Sequence, residues 1–358
     1  MQIRWAMALA LGAILASTAA AKDIVVQPEQ AAAQPTTARN FMVASAHPLA
    51  TEAGYDVLAA GGSAADAAVA VQVMLALVEP QNSGLGGGGF LLYWNAALRR
   101  LTTFDARERA PLAADARYWL REDGTPVDFQ YAVVGGRSVG VPGTPLMLET
   151  VHARYGRLPW AKLMAPAIAK AEEGFPVSRR LADMIAEARD LDRFESTRAY
   201  FFEADGRPKA EGTILRNPDL ARTLRLFADR GAAPFYTGSI AHDIVAAVRT
   251  DINPGILAPD DLATYQVIER APICIEYRRH DVCGMGPPSS GGLTVGQILG
   301  MLEAFDLAAL GPGTESRHLF LEASRLAFAD RNLYMADSDF VDMPGGLLDR
   351  DYLATRAE

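Results

Sequence analysis

The sequence predicts one mixed α/β unit, with strands early and late around a helical block. Two strand-like runs, GFLLYW and RLTTFDA, come before residue 107, and a second strand region, VIERAPICIEYRRHDVCGM, begins at residue 267. Between them the chain reads mostly as helix from residue 143. At 358 residues the length alone gives a prior of about two domains. No internal repeat, long linker or low-complexity tract after residue 40 supports such a division.

Composition narrows the function classes. Half of the residues are apolar and 22% are charged, so a large core can form without a disulfide or metal staple. Lys and Arg total 34 against 43 Asp and Glu, a net charge of −9. That balance argues against a nucleic-acid binder, which wants a basic face. Two cysteines exclude a disulfide scaffold. The scattered His47, His152, His242, His280 and His318 offer no short-range metal spacing.

Taken in order, residues 1–21 (MQIRWAMALALGAILASTAAA) read as a secretory signal peptide. Arg4 gives a minimal positive start, Trp5 to Leu15 is a short apolar run, and Ala19-Ala20-Ala21 is a small-residue cleavage site. Residues 22–40 are polar and Ala/Gln/Pro-rich, a flexible leader. FMVASA (41–46) is expected to be a strand, and Pro48 to Ala60 a helix closed by Gly61-Gly62. Ser63 with Asp66 forms a capping box that opens an Ala/Val-rich helix to about Val78. That helix is apolar almost all round, so it should be buried. The GFLLYW and RLTTFDA strands follow, joined by Asn95–Arg99, and YAVV before Gly135 reads as a further strand. MLETVHARYG, AKLMAPAIAKAEEG and SRRLADMIAEARD are successive helices. Asn217-Pro218 is an N-cap followed by Pro at the first helical position, and Gly231 closes that helix. Further helices are expected over Ser239 to Val248, near 293–304 and over 315–335. Export would put Cys274 and Cys283 in a disulfide-permissive compartment. Both a bridge and two partly buried thiols fit their spacing.

Several motifs carry possible chemistry. Gly84 to Gly89 satisfy G-x-G-x-x-G, but here a helix precedes the glycines and a strand follows. A dinucleotide site needs the opposite order, so these glycines read as a tight turn or a wall beside a ligand. Gly136-Arg137-Ser138-Val139-Gly140 satisfies G-x-S-x-G. A nucleophile elbow wants a helix at once, whereas Val141-Pro142-Gly143 delays it. Ser289 or Ser290 is positioned to cap the helix that follows Gly291-Gly292. Arg107 leaves a strand end in FDARERAP, where a guanidinium can fork onto a carboxylate.

These pieces occur together in a recognisable order. MVASAHPLATEAGYDVLAAGGSAADAAVAVQVMLALVEPQNSGLGGGGFLLYW, FDARERAP, SVGVPGTP, DDLATY, GPPSSGG and ADRNLYMAD resemble the γ-glutamyltransferase (glutathione hydrolase) family from about residue 41 to residue 358. The resemblance implies an α+β fold, the four-layer αββα sandwich of the N-terminal nucleophile hydrolases, with residues 41–358 as its large-subunit part. It implies a precursor that cuts itself into two subunits. The new N-terminal Thr of the small subunit attacks a γ-glutamyl amide, with its own α-amino group as base. The γ-glutamyl enzyme then passes its group to water or to an amino acid, with no metal or organic cofactor. Arg107 matches the family arginine that binds the α-carboxylate of the γ-glutamyl group, and Gly86 to Gly89 match a shaping turn.

The family nucleophile lies in a Thr-Thr-His segment expected beyond residue 358. Thr36-Thr37 and Thr102-Thr103 are elsewhere, and neither is followed by His. The resemblance therefore implies a large-subunit-like chain that needs a small subunit for activity, takes a γ-glutamyl substrate such as glutathione and is periplasmic or secreted. Two alternatives are an exported non-catalytic protein binding a γ-glutamyl compound, an amino acid or a partner, and a serine hydrolase using Ser138.

Overall fold

The computed structural model describes residues 36–358. The signal peptide read over 1–21 lies outside the described residues, as does the leader up to residue 35. Residues 36–40 are exposed and form no helix or strand.

Within Met42–Glu358 the helices were the most legible elements. The first, α1 (Pro48–Ala59), starts at Pro48, where a missing N–H costs nothing. The second, α2 (Ala64–Val78), has the full capping box: Asp66 N–H donates to Ser63 Oγ, and Ser63 N–H donates to Asp66 Oδ2. Asp66 does more than cap. Its Oδ2 also accepts the Arg157 and Leu158 N–H groups at 2.9 and 3.2 Å, so one buried carboxylate ties α2 to the chain after the fourth helix. As its all-round apolarity predicts, α2 is buried along most of its length.

FMVASA forms no strand: residues 41–46 have no ladder partner among the described residues. YAVV is also not a strand. Asp128 Oδ1 accepts the Gln130 and Tyr131 N–H groups and opens the short helix α3 (Phe129–Val133) instead. A carboxylate cap supplied by a local Asp thus overrides the β-propensity of a valine pair.

The strands β1 (Gly89–Asn95) and β2 (Arg100–Ala106) pair antiparallel as read, with Gly89 opposite Ala106 and Asn95 opposite Arg100. The strand Ile268–Arg270 joins the far side of β2, giving a three-stranded sheet with β2 in the middle. Phe104 and Ala106 of β2 are buried with Ala65, Met147 and Val151, so the sheet packs on α2 and on α4 (Thr144–Tyr155). A larger core joins α1, α2, α4, α5 (Trp160–Glu173) and the helices Pro218–Arg230 and Ser239–Val248. Asn217 and Gly231 end the Pro218–Arg230 helix as read.

The strands Ile273–Tyr277 and His280–Gly284 form a hairpin whose register sets Cys274 opposite Cys283. The two are bridged, with Cα atoms 4.1 Å apart, which resolves the choice that spacing left open. Beyond it the helices Gly291–Leu302, Thr314–Tyr334 and Arg350–Ala357 share a second core around Met301, Ala323, Ala327 and Leu353. No described helix is long and apolar enough to cross a membrane.

The start of α1 carries a pH-sensitive contact. His47 Nδ1 accepts the Leu49 N–H at 3.2 Å, which needs a neutral ring. Burial holds its pKa below the usual imidazole range, against the opposing pull of Glu79. The unfolded ring therefore binds its proton more tightly, and stability rises with pH through this window. Stability should be complete above about pH 6.5 and fall as pH drops below it. The urea midpoint measured against pH should show this slope, and His47→Asn, which keeps a cap, should flatten it.

Candidate active site

The glycine turn between α2 and β1 is pinned by hydrogen bonds to the start of α4 and to the segment after β2. Gly87 C=O accepts the Gly143 and Thr144 N–H groups at 2.9 and 3.0 Å, and the Thr144 hydroxyl at 3.0 Å. Gly88 N–H donates to Glu108 Oε1 at 2.7 Å. A methyl group on Gly88 would overlap the Ala106 carbonyl, and one on Gly143 would overlap that carbonyl and the Tyr265 hydroxyl. Only glycine permits this approach, which presses the turn and the start of α4 against the exit of β2.

Arg107 stands at that exit. Its N–H donates to Asp105 Oδ1 at 2.9 Å, and its C=O accepts the Tyr265 hydroxyl at 2.8 Å. The main chain is thus held on both sides. The side chain is exposed, and its guanidinium makes no ion pair or hydrogen bond among the described residues. Two clefts flank the Arg107–Ala110 segment. One, of about 690 Å³, is lined by Arg107, Arg109, Tyr118, Trp119, Arg137 and Ser138, among others. The other, of about 630 Å³, is bounded by Tyr265, Arg270, Pro288, Asp337 and Asp339.

Sequence reading missed the support beneath Arg107. Asp105 Oδ2 accepts from Arg270 Nε at 2.7 Å. Arg270 in turn forks onto Asp339, with Nη1–Oδ1 at 2.9 Å and Nη2–Oδ2 at 2.7 Å. The Asp105 and Arg270 side chains are only 8% and 14% exposed, so this is a nearly buried pair. Two carboxylates push the Arg270 pKa up, and Arg270 holds the Asp339 carboxyl below the usual carboxylate range. Burial pushes the Tyr265 hydroxyl well above the usual phenol range, so it stays a neutral donor. Arg109 lies over the Tyr265 ring, 5.7 Å from its centroid. Asp105 could have been suspected as the Asp of F-D-A-R-E. Arg270 and Asp339 could not, since they stand 165 and 234 residues from it.

The other sequence-read residues fall as follows. Ser138 lies near Arg107 in the larger cleft, but its hydroxyl donates to the Val133 and Gly135 carbonyls at 2.8 and 3.1 Å. It sits in a 3-10 turn after α3, not in a strand–turn–helix elbow, and its hydroxyl bonds to no His among the described residues. Ser290 occupies the cap position of the Gly291–Leu302 helix without a side-chain cap. Its Oγ accepts from Arg331 Nε, while Ser289 Oγ accepts the Gly291 N–H. Thr102 and Thr103 are buried inside β2, and the Thr103 hydroxyl donates to Arg270 C=O. They are not placed as nucleophiles.

The gamma-glutamyltranspeptidase family profile matches residues 50–358. A glutathione hydrolase proenzyme of Pseudomonas sp. (strain A14) is 39% identical over 323 residues, spanning 89% of this chain and 56% of that protein. The Escherichia coli (strain K12) glutathione hydrolase proenzyme is 38% identical over 313 residues, spanning 87% of this chain and 53% of that protein. The chain thus spans about half the length of these relatives. The crystal structure of Helicobacter pylori gamma-glutamyltranspeptidase superposes with a TM-score of 0.86 at 37% identity, covering 90% of this chain and 93% of that one. The fold is accordingly that of the N-terminal nucleophile hydrolases of this type, mixed α/β with small sheets. By profile, sequence identity and fold together, the chain belongs to the gamma-glutamyltranspeptidase family.

Proposed function

We propose that this chain is the large-subunit part of an exported γ-glutamyltransferase, or glutathione hydrolase, and that Arg107 anchors the α-carboxylate of the γ-glutamyl group. The observation that carries this reading is the state of Arg107: held by its main chain, unpaired at its guanidinium among the described residues, and lining two open clefts on an acidic chain. An unpaired guanidinium on a fixed backbone is ready to fork onto a carboxylate.

The chemistry then divides between two subunits. This chain binds and orients the donor. The small subunit supplies an N-terminal Thr, whose α-amino group takes the hydroxyl proton as the oxygen attacks the γ-carbonyl. The amine leaves with that proton, and water or an amino acid then takes the γ-glutamyl group. No residue of this chain is assigned to bond making, and Ser138, with its hydroxyl donated to main-chain carbonyls, serves its loop.

Two surface features favour a missing partner. The strand β1 is an edge of its sheet, with Leu92 and Trp94 exposed on it. On the Thr314–Tyr334 helix, Phe320, Leu321, Phe328 and Leu333 are exposed. Unpaired edges and apolar patches of this kind mark interaction surfaces. The isolated chain should therefore bind an apolar fluorescent dye strongly, and addition of a small subunit should displace it; weak binding to the isolated chain would count against a missing partner.

Residues 1–21 fit export to the periplasm or medium, and residues 41–358 form the large-subunit-like domain. Substrate comparison tests the anchor. A γ-glutamyl donor should be processed about tenfold to a hundredfold better than its α-carboxamide counterpart, since the amide loses one charge-assisted fork. Equal processing of both would overturn the role given to Arg107.

A further inference from the structure

The larger cleft beside Arg107 has a second unpaired arginine. Arg137 lies over two aromatic rings, with its guanidinium carbon 5.2 Å from the Tyr118 centroid and 6.0 Å from that of Trp119. The two rings meet edge to face, 5.0 Å apart, and form a shelf. Stacking uses the face of a guanidinium and leaves its in-plane N–H donors free. Among the described residues those donors have no hydrogen-bond partner.

The backbone beneath Arg137 is fixed with unusual thoroughness for a loop. Its N–H donates to Asn253 C=O at 2.9 Å, and its C=O accepts the Tyr118 hydroxyl at 2.9 Å. Asn253 is buried, and its Nδ2 donates to the Tyr131 and Val134 carbonyls at 2.9 and 3.1 Å. A methyl group on Gly136 would overlap the Val248 carbonyl, so the loop sits hard against the Ser239–Val248 helix. Tyr118 is kept in its neutral, donating form by burial.

Two carboxylates share the cleft. Glu108 is turned to the Gly88 N–H, and Asp115 Oδ1 takes the Arg117 N–H. Neither pairs with Arg137. The cleft thus presents guanidinium groups at Arg107, Arg109 and Arg137, with an aromatic floor beside the last.

We infer that Arg137, held on the Tyr118–Trp119 shelf, is a second carboxylate subsite that takes the terminal carboxylate of the peptide attached to the γ-glutamyl group. This rests on the reading of Arg107 as the α-carboxylate anchor. Arg107 would fix one end of a γ-glutamyl peptide and Arg137 the other, so the pair selects peptides with a free C-terminus over simple γ-glutamyl amides. Arg137 is a specificity-determining residue here, with no part in bond making.

Equilibrium binding of three compounds to the chain separates the two roles. The compounds are glutamate, glutathione and glutathione esterified at its glycine carboxylate, followed by intrinsic tryptophan fluorescence and by calorimetry. The unaltered chain should bind glutathione about tenfold more tightly than the ester, the size of one charge-assisted fork. Arg137→Ala should erase that difference and leave glutamate binding unchanged. Arg137→Lys keeps the charge but not the planar fork, and should recover only part of it. Arg107→Ala should weaken all three. If glutathione and its ester bind equally while glutamate binding still depends on Arg107, the Arg137 subsite is wrong and the Arg107 reading stands. If none of the three binds, both fall.

Discussion

Arg107→Ala should raise the KM for γ-glutamyl donors of the assembled enzyme by about tenfold to a hundredfold, the worth of 1.5–3 kcal/mol for a hydrogen bond to a charged partner. The urea midpoint should stay within error of the unaltered protein. The two halves of this result follow from one fact: the guanidinium is exposed and bonded to nothing in the described residues. No folded-state contact is lost, so only binding is left to change. Surface substitutions of this kind typically move stability by no more than about 0.5 kcal/mol. Arg107→Lys should fall between, because an ammonium keeps the charge but cannot make two parallel bonds. Steady-state kinetics with one γ-glutamyl donor, beside a urea titration, checks both. A large loss of stability would mean that Arg107 is structural.

Asp105→Ala should do the reverse, with a loss of about 3 kcal/mol in stability, toward the lower end for breaking a buried ion pair. Asp105 has both oxygens engaged, Oδ1 with the Arg107 N–H and Oδ2 with Arg270 Nε. Removing it frees the Arg107 backbone and leaves the nearly buried Arg270 with Asp339 as its one carboxylate. The remaining fork to Asp339 keeps the loss from being larger. Asp105→Asn divides the effect, since an amide oxygen can still accept the Arg107 N–H while the charge on Arg270 goes uncompensated. A double-mutant cycle with Arg270→Met should give a coupling energy of about 1–3 kcal/mol. Near-additive losses would show that the pair contributes little. Donor binding should weaken along with stability in Asp105→Ala, because the Arg107 main chain is no longer pinned.

These two residues also show what the sequence could and could not reveal. The position of Arg107 was legible because F-D-A-R-E-R-A-P is a local string, and the role proposed for it needs only a strand end and an open cleft. Its foundation was not legible. Asp105, Arg270 and Asp339 come together because Ile268–Arg270 pairs with β2, and a strand read at residue 267 does not say which distant strand it will join. The same holds for Arg137, whose partner Tyr118 lies 19 residues away across a loop. Local signals carried the helices well. Ser63 and Asp66 cap α2, and Asn217 and Gly231 bound the Pro218–Arg230 helix, as their chemistry demands. The misread segments were short and β-prone. YAVV yielded to the Asp128 cap, and FMVASA found no neighbour to pair with among the described residues. Propensity for strand is realised only where a partner strand is present. For the same reason the cysteines stayed ambiguous until the hairpin register set Cys274 opposite Cys283.

The most direct test of a two-subunit site anchored on this chain is release of p-nitroaniline from a γ-glutamyl anilide, measured on the chain alone and after assembly with a small subunit. The account predicts no turnover by the chain alone, turnover by the assembly, and near-complete loss of it at low substrate with Arg107→Ala. Turnover by the chain alone, or an assembly indifferent to Arg107→Ala, would contradict it.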